Sequence, residues 1–281
     1  MIKIIALDLD GTTLNSKGQL SATTKATLEE AIERGIKVVI ATGRSFHSVP
    51  KDIFAIEGLE YIITSNGAHV SDLYLGENIY SNFIPPESLE TIVDMVHKLG
   101  FGIDDELSLE CFIDGHAYIS EREFSKVKDH GSIYRDVDYI LSTRTPVENI
   151  FDFMRANKSH LENINLNFQD LERRASVRKL LEEIPHIELT TSFKHNWEIE
   201  GEGTGKGPAL KWLCDKLEID SFEELLSCGD SPNDISMFKF AKYAVALANG
   251  TDETKEAANK LYPSNDEDGV AKAIRDLAFN S

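Results

Sequence analysis

The sequence predicts an α/β protein whose parallel-sheet core, with helices on both faces, is interrupted by an inserted α+β domain. Three observations carry that expectation. Short, β-branched apolar runs alternate with amphipathic helical segments near both ends of the chain. Those runs are apolar on both faces, so both must be covered, as in a parallel sheet between helices. The middle of the chain lacks this rhythm, and 281 residues suit two modest domains.

The elements follow in order. Residues 2–7 are apolar and short enough for a buried strand. Ser21 is placed to cap a helix on which Leu28, Ala31 and Ile32 share a face, and Gly35 to end it. Residues 36–41 and 61–64 are two more strands. Pro85-Pro86 breaks the chain, and Leu89, Ile92, Val93, Val96 and Leu99 then mark a helix ending at Gly100. Alternation through Leu107, Leu109, Cys111, Ile113, Ala117 and Ile119 predicts strand. A helix over 146–156, a strand over 164–168 and a helix over 171–184 complete the middle. The first rhythm resumes with a helix over 206–217, strands at 225–228 and 243–247, and a closing helix over 269–277. The expected division is a discontinuous core of residues 1–83 and 191–281 around an inserted domain of residues 84–190.

Composition narrows the partners. Acidic residues number 48 against 29 basic, a net charge of −19. Such a balance excludes attachment to nucleic acid or anionic lipid by bulk charge, which needs clustered Lys and Arg. Cys111, Cys214 and Cys228 cannot all pair and form no C-x-x-C, so they read as reduced thiols. The apolar run from Ile4 stops at Asp8, which is no signal peptide, and no run approaches a membrane helix. A soluble, cytoplasmic chain without a membrane partner is expected.

Four segments carry chemistry. Asp8-Leu9-Asp10-Gly11-Thr12 follows the first strand; residues two apart on a strand project together, so two carboxylates are expected at its carboxyl end. Crowded carboxylates suit Mg²⁺, and a carboxylate can also serve as nucleophile while its neighbour handles the proton. Thr42-Gly43-Arg44 follows the second strand, where a hydroxyl and backbone N–H groups can hold phosphoryl oxygens. Gly203-Thr204-Gly205-Lys206-Gly207 opens a helix with a Lys set against the macrodipole, a placement that calls for a nearby anion. It lacks the Ser or Thr after Lys that a Walker A loop requires. Gly229-Asp230-Ser231-Pro232-Asn233-Asp234 follows the strand at 225–228 and can complete a Mg²⁺ shell, or simply cap a helix.

In this order, the four segments resemble the haloacid dehalogenase-like hydrolases, specifically the Cof-type phosphatases. Ser65-Asn66-Gly67-Ala68, the stretch 246–250 and the stretch 265–270 resemble further segments of that family. The resemblance implies a Rossmann-like core with an inserted cap, Asp8 as nucleophile, and Asp10 as general acid and then base. It implies Mg²⁺ at Asp8, the Asp10 carbonyl and Asp230, with Asp234 bound directly or through water. Thr42 and Lys206 would hold the phosphoryl group, assisted by Gly43 and Asn233, and Asn66 joins the candidate substrate contacts. Thr13 stands where many relatives have Leu, and Gly205 where Ser often precedes the Lys.

The remaining conspicuous residues read less sharply. Arg44 binds either the substrate or a structural carboxylate. His47, three past Arg44, reads as an exposed helical residue that could instead face the substrate. Asp114, His116, His130 and Arg135 read as solvated loop positions that could instead meet the leaving group. Trp197 and Trp212 read as packing, and Asp266-Glu267-Asp268 as the solvated start of a helix. The expected function is a Mg²⁺-dependent phosphatase of a small phosphorylated metabolite, most plausibly a sugar phosphate, with the cap closing over the leaving group. A hexose phosphomutase and a phosphoacceptor signalling module are the alternatives; Asp10 and the large insert argue against the second.

Overall fold

The computed structural model describes residues 1–104 and 106–280. Along the chain, β1 (Ile4–Leu7), β2 (Lys37–Ala41), β3 (Tyr61–Thr64), β4 (His69–Asp72) and β5 (Glu77–Ser81) come first. The middle holds β6 (Leu107–Ile113), β7 (His116–Ser120), β8 (Arg144–Val147), β9 (Leu161–Phe168), β10 (Ile187–Thr190) and β11 (Asn196–Gly201). Then β12 (Leu225–Gly229), β13 (Tyr243–Leu247) and β14 (Lys260–Tyr262) follow.

The larger sheet has the order β14-β13-β12-β1-β2-β3-β4-β5. Its centre, β1, pairs in parallel with β2 and β12, with Ile5 opposite both Val38 and Leu226. The strand is buried at every residue, as a sheet covered on both faces requires. Parallel pairing continues to β14 on one side and β3 on the other. The antiparallel hairpin β4–β5 extends the β3 edge, an addition the sequence reading did not contain. Ser21 caps the helix Ala22–Glu33, accepting from the Thr24 N–H at 2.9 Å.

Two compact units divide the chain. The first comprises residues 1–43, 49–81 and 205–281, and the second residues 44–48 and 82–204. The boundary expected at 190 falls at 204 because β11 pairs antiparallel with β9 and β10, inside the second unit's sheet. That sheet runs β10-β11-β9-β6-β7-β8. The alternating stretch 107–119 is a hairpin, β6–β7, turning at Asp114 and Gly115, both with positive φ. The helix expected over 146–156 is in fact β8 followed by a helix at Ile150–Ala156, with Asn149 as its cap. Pro146 sits in the sheet's outer strand, where a missing N–H is tolerated.

All three cysteines are free and buried. Burial pushes the Cys214 thiol up to about 12, which leaves it protonated and inert. Among the described residues, no helix is long and apolar enough to cross a membrane.

Candidate active site

Strand ends and one helix start of the first unit bring the candidate residues together. Asp8 follows β1, Thr42 follows β2, Asn66 follows β3 and Asp230 follows β12, each where an α/β sheet presents its ligands. Lys206 opens the helix Lys206–Lys216, whose Ala209, Leu210 and Leu213 are seated in the apolar core beside β1, β2 and β3.

Lys206 is the hub. Its ammonium donates to Asp8 Oδ1 at 2.6 Å and Asp234 Oδ1 at 2.7 Å, and the residue is 1% exposed. It is no solvated turn lysine: two carboxylates supply the anion that a positive charge at a helix N-terminus calls for. Burial works against its charge, but Asp234 and Asp8 hold the ammonium well above the ordinary lysine range.

The carboxylates are crowded. One ligand atom each from Asp8, Asp230 and Asp234 lies within 4.8 Å of the others. Burial first, then the charge of Asp234, drives the Asp8 carboxyl well above its usual range despite Lys206. Asp230 is pushed up to about 6, by burial and then by Asp234. Asp8 Oδ2 is buried with no hydrogen-bond partner. Three acidic groups against one ammonium, with an unpartnered buried oxygen among them, fit a hard divalent cation.

Asp10 does not join this trio. β1 ends at Leu7, so the period-two argument that paired Asp8 with Asp10 fails beyond the strand, and the Asp10 side chain is exposed. Gly11 makes the turn at φ +80°, where an added Cβ would strike the Asp230 carboxylate. The Thr12 hydroxyl donates to Asp230 Oδ1 at 3.0 Å, and that of Thr13 to the Asp8 carbonyl at 2.6 Å.

Asp234 turns its second oxygen to its own loop, accepting from the N–H groups of Asp230 at 2.9 Å and Ser231 at 3.0 Å. The helix-capping and metal readings of this segment are thus compatible, since one carboxylate makes the capping bonds while lying in the cluster. Asn66, in the left-handed region at φ 52°, donates its N–H to the Thr42 carbonyl at 3.0 Å. Its Oδ1 accepts from Asn233 Nδ2 at 3.1 Å, so these two candidates brace each other. That same Oδ1 lies 2.9 Å from where a Cβ on Gly43 would stand.

Arg44 belongs to the second unit, where its guanidinium donates to the Ser48 carbonyl at 2.9 Å and lies 4.5 Å from the Tyr139 ring centre. His47, also there, is exposed and stacks on His116 with centroids 3.9 Å apart. Asp266 and Asp268 are not merely solvated: Asp266 accepts from the Ser16 N–H at 2.8 Å, and Asp268 from the Ser21 hydroxyl at 2.5 Å.

The sequence reading missed Thr12 and Thr13 as supports, although they sit inside its strongest motif. It gave no role to Asn249, inside the stretch 246–250, whose Nδ2 donates to the Gly11 carbonyl at 2.7 Å across 238 residues. Gly207 has a packing role as well: an added Cβ would strike the Ser236 carbonyl, while its N–H donates to Ser236 Oγ at 3.0 Å. Gly207→Ala is expected to cost about 1–3 kcal/mol in chemical denaturation, as overpacking against backbone does. An unchanged midpoint would show that the helix start yields freely.

A family model described as haloacid dehalogenase-like hydrolase matches residues 5–274. The chain is 29% identical to the 5-amino-6-(5-phospho-D-ribitylamino)uracil phosphatase YwtE of Bacillus subtilis, over 98% of each chain. It is 30% identical to the phosphatase YwpJ of the same organism, over 98% of this chain and 100% of the relative. The solved structure of a haloacid dehalogenase-like hydrolase from B. subtilis superposes with a TM-score of 0.83 at 29% identity, covering 98% of this chain and 100% of that one.

Proposed function

The chain belongs to the haloacid dehalogenase-like hydrolases and, like the phosphatases it matches end to end, is a phosphoric monoester hydrolase; from that premise we propose a Mg²⁺-dependent phosphatase of small phosphorylated metabolites, sugar phosphates foremost. The observation that carries the proposal is Asp8: one oxygen held by Lys206, the other buried and without a partner.

Asp8 Oδ2 attacks phosphorus and forms an aspartyl-phosphate as the ester P–O bond breaks. Asp10, exposed and two residues on, gives the leaving alkoxide its proton and later takes one from the attacking water. That water cleaves the aspartyl-phosphate, returning Asp8 as a carboxylate and releasing phosphate. Lys206, Thr42 and the Gly43 N–H receive the phosphoryl oxygens, with the Asn66–Asn233 pair keeping the Thr42 turn in place. Mg²⁺ would be held by Asp8, Asp230, Asp234 and the Asp10 carbonyl, and would neutralise charge on the phosphoryl group. Sugar phosphates lead because the substrate in the name of one relative, YwtE, carries its phosphate on a ribityl chain.

Turnover of an aryl phosphate is expected to stop in chelator and return with Mg²⁺; full activity in chelator would remove the metal from the proposal. The pH dependence has a defined sign. The folded-state value of Asp230, about 6, lies above its unfolded value. The metal-free chain therefore holds this contribution to stability below about pH 4 and loses it as pH rises through 6. A carboxylate must be ionised to bind a cation. The rise in melting temperature on adding Mg²⁺ should be full above pH 7 and fade below 6, and a rise independent of pH would exclude Asp230 as a ligand.

A further inference from the structure

The turn that carries Asp10 is held from the far end of the chain. Asp10 stands beyond the end of β1 at Leu7, so the pairing of the large sheet does not fix it. Within the loop, the N–H groups of Thr13 and Leu14 donate back to the Asp8 and Leu9 carbonyls at 3.2 and 2.9 Å. Leu14 is also bridged in parallel to Asp10. The Gly11 and Leu14 carbonyls are taken by two distant side chains, Asn249 Nδ2 at 2.7 Å and Asn265 Nδ2 at 2.8 Å.

The two asparagines are themselves joined. The Asn265 N–H donates to Asn249 Oδ1 at 3.0 Å, so the carboxamide of Asn249 links both ends of a clamp. Beside them, Asp266 accepts from the Ser16 N–H at 2.8 Å and extends the tie along the loop. Asn249 lies just past β13 and Asn265 just past β14, strands that run parallel to β12. Both turns therefore leave the large sheet at the edge where Asp230 follows β12. Their backbones are tied as well: the Ala248 N–H donates to the Tyr262 carbonyl and the Gly250 N–H to the Leu247 carbonyl, each at 2.9 Å. The clamp rests on the sheet.

We infer that Asn249 and Asn265 are positioning residues for the general acid, fixing the turn so that the Asp10 carboxyl reaches the leaving oxygen. A general acid works only within hydrogen-bond reach of the atom it protonates. Misplacement by about 1 Å can cost roughly 10²-fold in rate. The ties meet the loop at the residue after Asp10 and at the residue bridged to it, the two points from which the backbone of Asp10 is set. The inference rests on the phosphatase reading and extends it to two side chains outside the acidic cluster and the phosphoryl contacts.

The test uses two leaving groups of unequal need, assayed in Mg²⁺. Nitrophenolate departs readily without a proton, whereas the sugar alkoxide of ribose 5-phosphate does not. The ratio kcat/KM covers the steps up to departure of the leaving group, which separates the acid role of Asp10 from its later role as base. Asn249→Asp keeps the side chain's size and its acceptor for Asn265, but turns an oxygen towards the Gly11 carbonyl. It should lower kcat/KM for ribose 5-phosphate by at least about tenfold, and for nitrophenyl phosphate by less than about threefold. Asn265→Asp, which removes the tie to Leu14, should show the same skew and carries the comparison should the first variant misfold. Equal losses on the two esters, or no loss on either, would overturn the inference and leave the asparagines as structural ties. A parent that cleaves the aryl ester alone would overturn it too, because no alkoxide then awaits a proton. A parent that cleaves neither ester refutes the phosphatase reading instead.

Discussion

Asp8→Asn is expected to abolish phosphatase turnover, by at least about 10⁴-fold in kcat, while leaving the fold intact. Loss of a nucleophile in other hydrolases reaches that scale or beyond. The side chain keeps its size, and the change removes a charge whose burial is opposed first by desolvation and then by Asp234. Lys206 retains its 2.7 Å contact with Asp234, so no buried ammonium is left alone. The melting temperature in the absence of metal should therefore hold or rise. Steady-state assay with an aryl phosphate and a thermal melt suffice; residual turnover within tenfold of the parent would exclude Asp8 as nucleophile.

Lys206→Met acts oppositely on stability. It leaves Asp8 and Asp234, both buried, without their shared cation. Breaking a buried ion pair from one side costs about 3–5 kcal/mol, a large part of a typical folding free energy of about 5–15 kcal/mol. The metal-free variant should melt on the order of 10 °C lower. The penalty should shrink on acidification, because the raised Asp8 carboxyl can then take up a proton in the folded chain. Asp8→Asn in the same molecule should restore part of the loss, the coupling expected of residues in direct contact. A loss of under 1 kcal/mol with no pH dependence would mean the carboxylates relax into solvent.

How much of this was legible depends on sequence distance. The strands that carry the site were readable because doubly buried strands are uninterrupted apolar runs, as 4–7 and 37–41 are. Asp8, Thr42 and Asp230 were then readable as residues at the ends of such strands. Lys206 announced itself by standing at the wrong end of a helix dipole. What lies between these segments was not readable. The bond from Thr12 to Asp230 spans 218 residues, and nothing local to either residue encodes it. Asp10 was paired with Asp8 by strand periodicity, yet the chain leaves the strand at Leu7 and that rule lapses there. In the middle domain, Pro146 was read as starting a helix because nothing in the local sequence marks an outer strand. The strand expected over 164–168 is present as part of β9, which begins three residues earlier at Leu161.

The placement of β1 also governs how the chain reaches this structure. Residue 4 belongs to the central strand, yet its partner at residue 225 is made more than two hundred residues later. At roughly 5–20 residues per second of synthesis, β1 and β2 wait on the order of ten seconds or more with one side of β1 unpaired. The second unit's segment 82–204 is complete before that partner exists. The core sheet therefore closes only late in synthesis. During that interval the exposed edge is the molecule's point of vulnerability to aggregation.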